Sequence, residues 1–557
     1  MIRPIDLLRQ GRKKELWLMC CGYIDLSLEQ FMVIQKRLLL EQIEVLKSCE
    51  LGRKVMRGAM PETVEEFREQ VPLTTYEDYL PEFEEGWEDV LPEKPALWVH
   101  TIGRPGEYNV KRVPHSQRFL FEIEKAAGGM ALMASRNSKG DFVAKEHLKT
   151  LAAVGSRNYG SGVVGYMMKE ALGCDFLPSN KEGMPFQEKT KESFREALYQ
   201  GIESCGGLSS ILVYVGEMFK QGALDLDARF LLSHPKASVR LLRALIKSKL
   251  AHRPMLPKDL WSVKAVVGGG TDSAVFGERL EELWGRRPLE MYAGTEGGVY
   301  ATQTWNYEGM TFIPSINFLE FIPEAEWFKW QLDRSYQPRT VLLDEVKAGE
   351  NYEIVITNFH GGVMTRYRPG DMVRIISLRD EELNIDIPQM VFEKRADELI
   401  ILFGFGHLTE KLIGEAIENI GIPYVDWVAS KEVIDKKPAV HIYIELKDDY
   451  IASEWSVASS IYDELEKLDN VRHFNLHKFA YGDAVNLLGL KPIQVTLLPR
   501  GAFYSHMAQQ QTEGVLSGHL GPLPRINPSD NVLALLRAPK VEVEAVPVFE
   551  VERTVTR

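Results

Sequence analysis

Along the first fifty residues the apolar positions recur at helical intervals. Leu28, Phe31, Met32, Leu39, Ile43 and Leu46 fall on one face, and Ser27 followed three residues later by Gln30 makes a capping-box start. The pattern predicts a long helix whose buried face packs a core or walls a ligand pocket. From about Thr74 to Pro114 it breaks into short turns and short apolar runs, with Leu97-Trp98-Val99 reading as a buried strand. Residues 115–260 read as mostly helical. Lys264-Ala265-Val266-Val267 is a short strand running into three glycines, and a helix is expected over 276–284 with Gly285 at its C′ position. Residues 289–292 form another short strand, closed by the turn Ala293-Gly294-Thr295-Glu296-Gly297-Gly298. Further on, the pattern gives a strand over 352–357, a helix from about Thr409, a strand over 440–446 and a helix over 457–468. The last twenty residues alternate Val and Glu in part and read as a frayed tail or an added strand. Strands alternating with helices predict an α/β fold with much parallel pairing.

Length changes this picture first, because 557 residues exceed one ordinary core and imply at least two domains. A boundary is expected near the charged run at Arg395, giving a large domain over 1–395 and a smaller one over 396–557. With 45% hydrophobic and 26% charged residues and no low-complexity tract, the chain has a globular composition. The net charge of −13 argues against nonspecific nucleic-acid binding, which needs a basic face. It leaves nucleotide binding open, since one or two basic groups suffice for a triphosphate. The five cysteines are an odd number with no CxxC pair, so neither a zinc site nor a redox dithiol is supported. The apolar stretch 16–24 is too short to span a bilayer, and Asp25 follows it without a cleavage site. A reduced, cytoplasmic compartment is expected.

Four local patterns carry candidate chemistry. Val99-His100-Thr101-Ile102-Gly103-Arg104-Pro105-Gly106, followed by Lys111, is a glycine-bearing loop able to wrap backbone N–H groups around phosphates, although by itself the stretch reads first as an ordinary surface hairpin. It lacks the Walker register. Gly268-Gly269-Gly270 at a strand end lets a flat ligand lie on bare backbone, and Tyr292 beside it can stack on a ring. Glu296, on the turn after Thr295, is a hard oxygen ligand suited to Mg²⁺ shared with phosphates. The bland alternative is two glycine turns and a solvated carboxylate. In the third pattern, Arg366-Tyr367-Arg368-Pro369-Gly370-Asp371, a fixed Asp can accept both hydroxyls of a ribose, though Arg-Pro-Gly-Asp is also a good turn. The fourth, Lys394-Arg395-Ala396-Asp397-Glu398 running to Phe403-Gly404-Phe405-Gly406, reads as a charged hinge followed by a hairpin.

In this order the four patterns resemble the acyl-adenylate-forming superfamily. Tyr292-Ala293-Gly294-Thr295-Glu296 resembles its Tyr-Gly-x-Thr-Glu, Tyr367-Arg368-Pro369-Gly370-Asp371 its Tyr-Arg/Lys-Thr-Gly-Asp, and Arg395-Ala396-Asp397-Glu398 its hinge. A closer likeness is to the auxin-responsive (Gretchen-Hagen) acyl acid–amido synthetases and their bacterial relatives. It rests on Val71-Pro72 with Tyr76-Glu77-Asp78, on Asn317-Phe318-Leu319-Glu320-Phe321-Ile322-Pro323, on Arg366-Tyr367-Arg368, and on Gly501-Ala502-Phe503 with Pro524-Arg525. The resemblance implies a large adenylate-forming domain of mixed sheets and helices with a smaller, mobile α+β C-terminal domain. It implies Thr101, Gly103, Arg104 and Lys111 along the phosphates of ATP, Glu296 at Mg²⁺, and Asp371 on the ribose. Gly268, Gly269, Gly270, Tyr292 and Thr295 would line the nucleotide, with Arg395 and Asp397 at the hinge. The implied reaction activates a small carboxylic acid and passes the acyl group to an amino acid. An acyl-CoA ligase using coenzyme A, and a degenerate nucleotide-binding homologue without turnover, are the alternatives. Two departures stand out: Ile102 and Arg104 replace expected hydroxyls, and no lysine precedes Pro524-Arg525. Arg104 can compensate by meeting a phosphate directly. For the acid, an apolar cavity near Met130, Met133, Tyr159, Tyr166 and Met167 is one reading and core packing the other.

Overall fold

The computed structural model describes residues 2–104, 108–137, 141–155, 157–178, 186–220, 228–270, 273–396, 399–402, 406–447, 450–472, 493–503, 525–528 and 530–538. Asp397, Glu398, Gly404, Pro524 and the alternating tail lie outside them.

The N-terminal helix forms as its pattern requires. Leu28–Ser48 starts at Ser27, whose hydroxyl accepts from the Gln30 N–H while the Gln30 side chain accepts from the Ser27 N–H. Phe31, Met32, Leu39, Ile43 and Leu46 are buried, so this face is core.

An eleven-stranded sheet organises the chain up to Arg395. Its first part is parallel, with Asp175–Leu177, Lys149–Ala153, Ser204–Leu208, Ala265–Gly269 and Leu289–Gly294 side by side. From Leu289–Gly294 onward it continues antiparallel through Gly298–Thr302, Met310–Phe312, Gln389–Arg395, Asp371–Ser377, Asn351–Asn358 and Asn317–Pro323. Helices cover both faces of the parallel part. Gln117–Ala134 and Gly160–Leu172 share one apolar cluster with strand residues Val267 and Leu289, while Ser209–Lys220 and Ser273–Trp284 share another with Cys205 and Val266. Gly285 has φ +78° just past its helix, the left-handed end expected of it.

Beyond Arg395 a two-stranded hairpin, Leu399–Leu402 with Gly406–Thr409, leads into the helix Glu410–Asn419, capped by the Thr409 hydroxyl. A second sheet follows, with Lys437–Leu446 central between Tyr424–Ile434 and Ile493–Leu497, and the helix Glu454–Arg472 beside it. No single helix among the described residues is long and apolar enough to cross a membrane.

Residues 115–260 are mostly helical, as their pattern predicts, and among the described residues they also hold three strands. These run three to five residues, and Ser204-Cys205-Gly206-Gly207-Leu208 has neither alternation nor β-branched residues to mark it. The strand Tyr424–Ile434 was also not anticipated, because its burial alternates only in part.

Candidate active site

The hairpin Leu97–Arg104 with Tyr108–His115 supplies the first part of the site. Its strand continues through Gly103 and Arg104 rather than opening into a loop there, which leaves 105–107 as the connection and outside the described residues. Thr101 lies directly opposite Lys111. The Lys111 ammonium donates to Glu296 Oε1 at 2.9 Å and to the Tyr367 hydroxyl at 3.2 Å, and Tyr367 donates to the same Glu296 oxygen at 2.9 Å. The Lys111 and Glu296 side chains are only 14% and 10% exposed, so the pair attracts through little water. Burial alone raises the Glu296 carboxyl. The Lys111 charge and the hydrogen bonds from Lys111 and Tyr367 outweigh it, and the group sits below the usual carboxylate value.

Glu296 stands on the turn joining Leu289–Gly294 to Gly298–Thr302, and three side chains pin that turn by its carbonyls. His115 Nε2–H donates to Thr295 O at 2.9 Å, Asn358 Nδ2 to Glu296 O at 3.1 Å, and Asn317 Nδ2 to Gly297 O at 2.7 Å. Asn358 also donates to Asn317 Oδ1 at 2.8 Å, which orients both amides. His115 is fully enclosed and its Nδ1 meets no partner, so burial lowers its pKa to about 4 and the ring is held neutral.

A second polar group lies four residues along the same two segments. Asp371 accepts from Tyr292 Oη at 2.7 Å on one oxygen and from Arg395 Nη1 at 2.5 Å on the other. Arg395 also donates to Pro369 O at 2.9 Å, and the Ala396 N–H to Gly370 O at 2.8 Å, so the chain is tied to the Asp371 turn where the large sheet ends. Tyr292 is a buried ring, 4.7 Å from Tyr300 and 6.0 Å from Phe392. Burial and then the Asp371 charge push its hydroxyl well above the usual tyrosine value.

The glycine strand behaves less openly than its sequence suggests. Gly268 pairs with Gly207 and Glu290, and Gly269 with Leu208 and Met291. A side chain on Gly268 would meet Ser209 Oγ at 2.5 Å and one on Gly269 would meet Met291 at 3.0 Å, so both glycines serve close packing. Only Gly270, at φ +110°, turns the chain out of the strand. Met130, Met133 and Met167 are buried core. Tyr166 sits against Phe176, and Tyr159 is partly exposed with its ring 6.5 Å from that of His100.

Thus Lys111, Thr295, Glu296, Tyr292, Asp371 and Arg395 converge, whereas the Arg104 side chain lies outside the description. Sequence reasoning passed over His115, Asn317 and Asn358 as site-building residues. Tyr367 was quoted within a motif but given no role. The asparagines carry no local signal, because their partners lie 20 and 62 residues away.

This mixed sheet followed by a smaller α+β unit is a fold shared with solved ligases. It matches a solved acyl acid amido synthetase in complex with 2,4-DB at TM-score 0.50 and 16% identity, over 96% of this chain and 97% of that one. It also matches a 2-hydroxyisobutyryl-CoA ligase in complex with 2-HIB-AMP and CoA, at TM-score 0.51 and 14% identity, over 87% and 92%. Two domain models of one family match parts of the chain. Residues 22–202 match the GH3 family N-terminal domain and residues 310–395 the GH3 family central domain. A jasmonoyl–L-amino acid synthetase of Nicotiana attenuata is 26% identical over 239 residues, 41% of this chain and 38% of that protein. One of Oryza sativa subsp. japonica is 27% identical over 244 residues, 41% of this chain and 39% of that protein. The chain therefore matches under two-fifths of the length of these curated relatives.

Proposed function

We propose that this chain is an AMP-forming ligase that activates a small carboxylic acid with ATP and joins it to the amine of an amino acid. The observation that carries the reading is the convergence of Lys111, Glu296, Tyr367, Tyr292, Asp371 and Arg395, from four separated segments, into two adjoining buried charge pairs. The GH3 domains and the relatives that make jasmonoyl–amino acid conjugates support it.

In the first half-reaction a carboxylate oxygen of the acid attacks the α-phosphorus of ATP. The bond from that phosphorus to the bridging oxygen breaks, leaving an acyl-adenylate and pyrophosphate. In the second, the amine nitrogen attacks the acyl carbon, the bond to the AMP oxygen breaks, and the amine loses a proton. Positioning and charge neutralisation dominate the first step. Lys111, reinforced by Thr101, Gly103 and Arg104, faces the phosphates. Asp371, oriented by Tyr292 and Arg395, accepts the ribose hydroxyls. Gly270, Tyr292 and Thr295 border the base. Glu296, kept ionised by Lys111 and Tyr367, is the hard oxygen donor that fits Mg²⁺, which takes one or two carboxylates beside substrate phosphates. Held there, Mg²⁺ would offset the charge growing on the phosphates.

Residues 396–557 act as the smaller domain, turning about Arg395–Asp397 between the half-reactions. The end of the GH3 central domain at 395 supports that boundary. Five free, buried cysteines support a reducing, cytoplasmic location.

The test is pyrophosphate release with Mg-ATP across a panel of carboxylic acids, each with and without mixed amino acids or coenzyme A. Acid-dependent release that rises with amino acids is expected, and Glu296→Ala should abolish it without unfolding the chain. A rise with coenzyme A instead would make the chain a thioester ligase. ATP binding without release from any acid would sink the ligase reading.

A further inference from the structure

The helix Pro235–Leu250 reverses the usual arrangement of a surface helix. Its seam against the body is made of the small buried residues Ala237, Ala244 and Ser248 with the half-buried Leu241, while Val239, Leu242, Ile246 and Leu250 face water. At 3.6 residues per turn those four occupy one stripe about 80° wide on the side opposite the seam. Leu242 is 60% and Leu250 76% exposed, and Leu232, on the short helix just before, is 85% exposed. Single exposed leucines are ordinary, but a continuous apolar stripe of this kind marks a docking surface.

Charge narrows the occupant. The helix carries Lys236, Arg240, Arg243, Lys247 and Lys249 and no acidic residue, within a chain of net charge −13. Arg240 is engaged with the Leu198 carbonyl. By the same helical spacing, Lys236, Arg243 and Lys247 border the apolar stripe on one side and Lys249 borders it on the other. An apolar stripe bracketed by long cationic stems is the cross-section of a helix lying in a bilayer interface, where the stems extend to the headgroups. A partner protein would need a groove shaped to this convex ridge with acids on both rims, whereas a fluid bilayer conforms to it.

We propose that Pro235–Leu250 is a peripheral docking face for an anionic lipid bilayer. Val239, Leu242, Ile246 and Leu250 enter the boundary between headgroups and acyl chains, and Lys236, Arg243, Lys247 and Lys249 meet lipid phosphates. This stands apart from the ligase reading and survives its failure.

The experiment is flotation of the full chain with phosphatidylcholine vesicles, alone or containing about one-third phosphatidylglycerol. Binding is expected only to the anionic vesicles and should weaken as salt rises. The exposed pair Leu242→Glu/Ile246→Glu should lose binding at least tenfold with an unchanged Tm. Arg243→Ala/Lys247→Ala should lose about fivefold per charge removed. No binding to anionic vesicles, equal binding to neutral ones, or binding that both variants leave intact would overturn the proposal. So would a dimer in sedimentation velocity that Leu242→Glu/Ile246→Glu dissolves without any vesicle binding, which would assign the stripe to a second copy.

Discussion

The two halves of the large sheet solve different problems. The parallel half is made of short strands with small residues, Ser204 to Leu208 and Ala265 to Gly269, covered by helices on both faces. It buries apolar surface and leaves glycine backbone at its carboxyl edge. The antiparallel half is built from longer strands that carry buried charge. Arg366 grips Glu320 through two hydrogen bonds of 3.1 and 2.9 Å, and Arg368 grips Glu353 through two of 2.9 and 2.7 Å. Both forks flank Tyr367, which holds Glu296. Such pairs add little net stability over an apolar core, yet they penalise any other register, since a shift would strand a charge in the interior. The comparison teaches that the parallel half supplies a platform and the antiparallel half fixes the side chains of the candidate site.

The largest expected effect breaks the antiparallel frame. Arg366→Met leaves Glu320, 1% exposed, without its main partner and should cost about 3–5 kcal/mol in urea unfolding. A change under about 1 kcal/mol would mean that the nearby Arg68, 3.6 Å from Glu320, carries the pairing instead.

Next comes the clamp between the halves. His115 has a folded-state pKa of about 4 against about 6.5 unfolded, so its contribution is fully present above about pH 6.5. As pH falls the unfolded chain takes up the proton first, and up to about 3 kcal/mol of stability is lost by pH 4. His115→Gln, which keeps an N–H for the Thr295 carbonyl, should flatten that part of the stability profile. An identical pH slope in the two proteins would remove His115 from the clamp.

The smallest effect sets one glycine of each half against the other. A Cβ on Gly297 would lie 2.1 Å from the Tyr300 ring and 2.7 Å from Ile356, so Gly297→Ala should destabilise by about 1–3 kcal/mol. A Cβ on Gly206 meets nothing closer than 3.7 Å, and Gly206→Ala should be neutral or gain up to about 1 kcal/mol from a stiffer unfolded chain. Thermal unfolding of both variants reads the contrast directly, and equal losses would erase it.

Much of this architecture was legible where local chemistry dominates. The Ser27 cap, the apolar face of Leu28–Ser48, the Gly285 helix end and the Thr409 start all depend on residues within a turn or two of one another. The motif residues Lys111, Glu296 and Asp371 were legible by type and order. The parallel strands inside 115–260 were not, because a short strand buried on both faces shows no alternation and is defined by neighbours distant in the chain. Gly268 and Gly269 read as open backbone, and only packing shows Ser209 and Met291 filling the space.

By itself, then, the sequence determined which residues could carry charge, where helices begin and end, and that strands and helices alternate, because those properties follow from side-chain chemistry and short-range periodicity. Only the tertiary structure decided that Lys111 pairs with Glu296 across 185 residues and Tyr292 with Asp371 across 79. It also decided that His115, Asn358 and Asn317 each take one carbonyl of the Thr295–Gly297 turn. The physical reason is that a buried charge or carbonyl must be satisfied by whatever group the folded chain brings within about 3 Å, and that group need not be near in sequence.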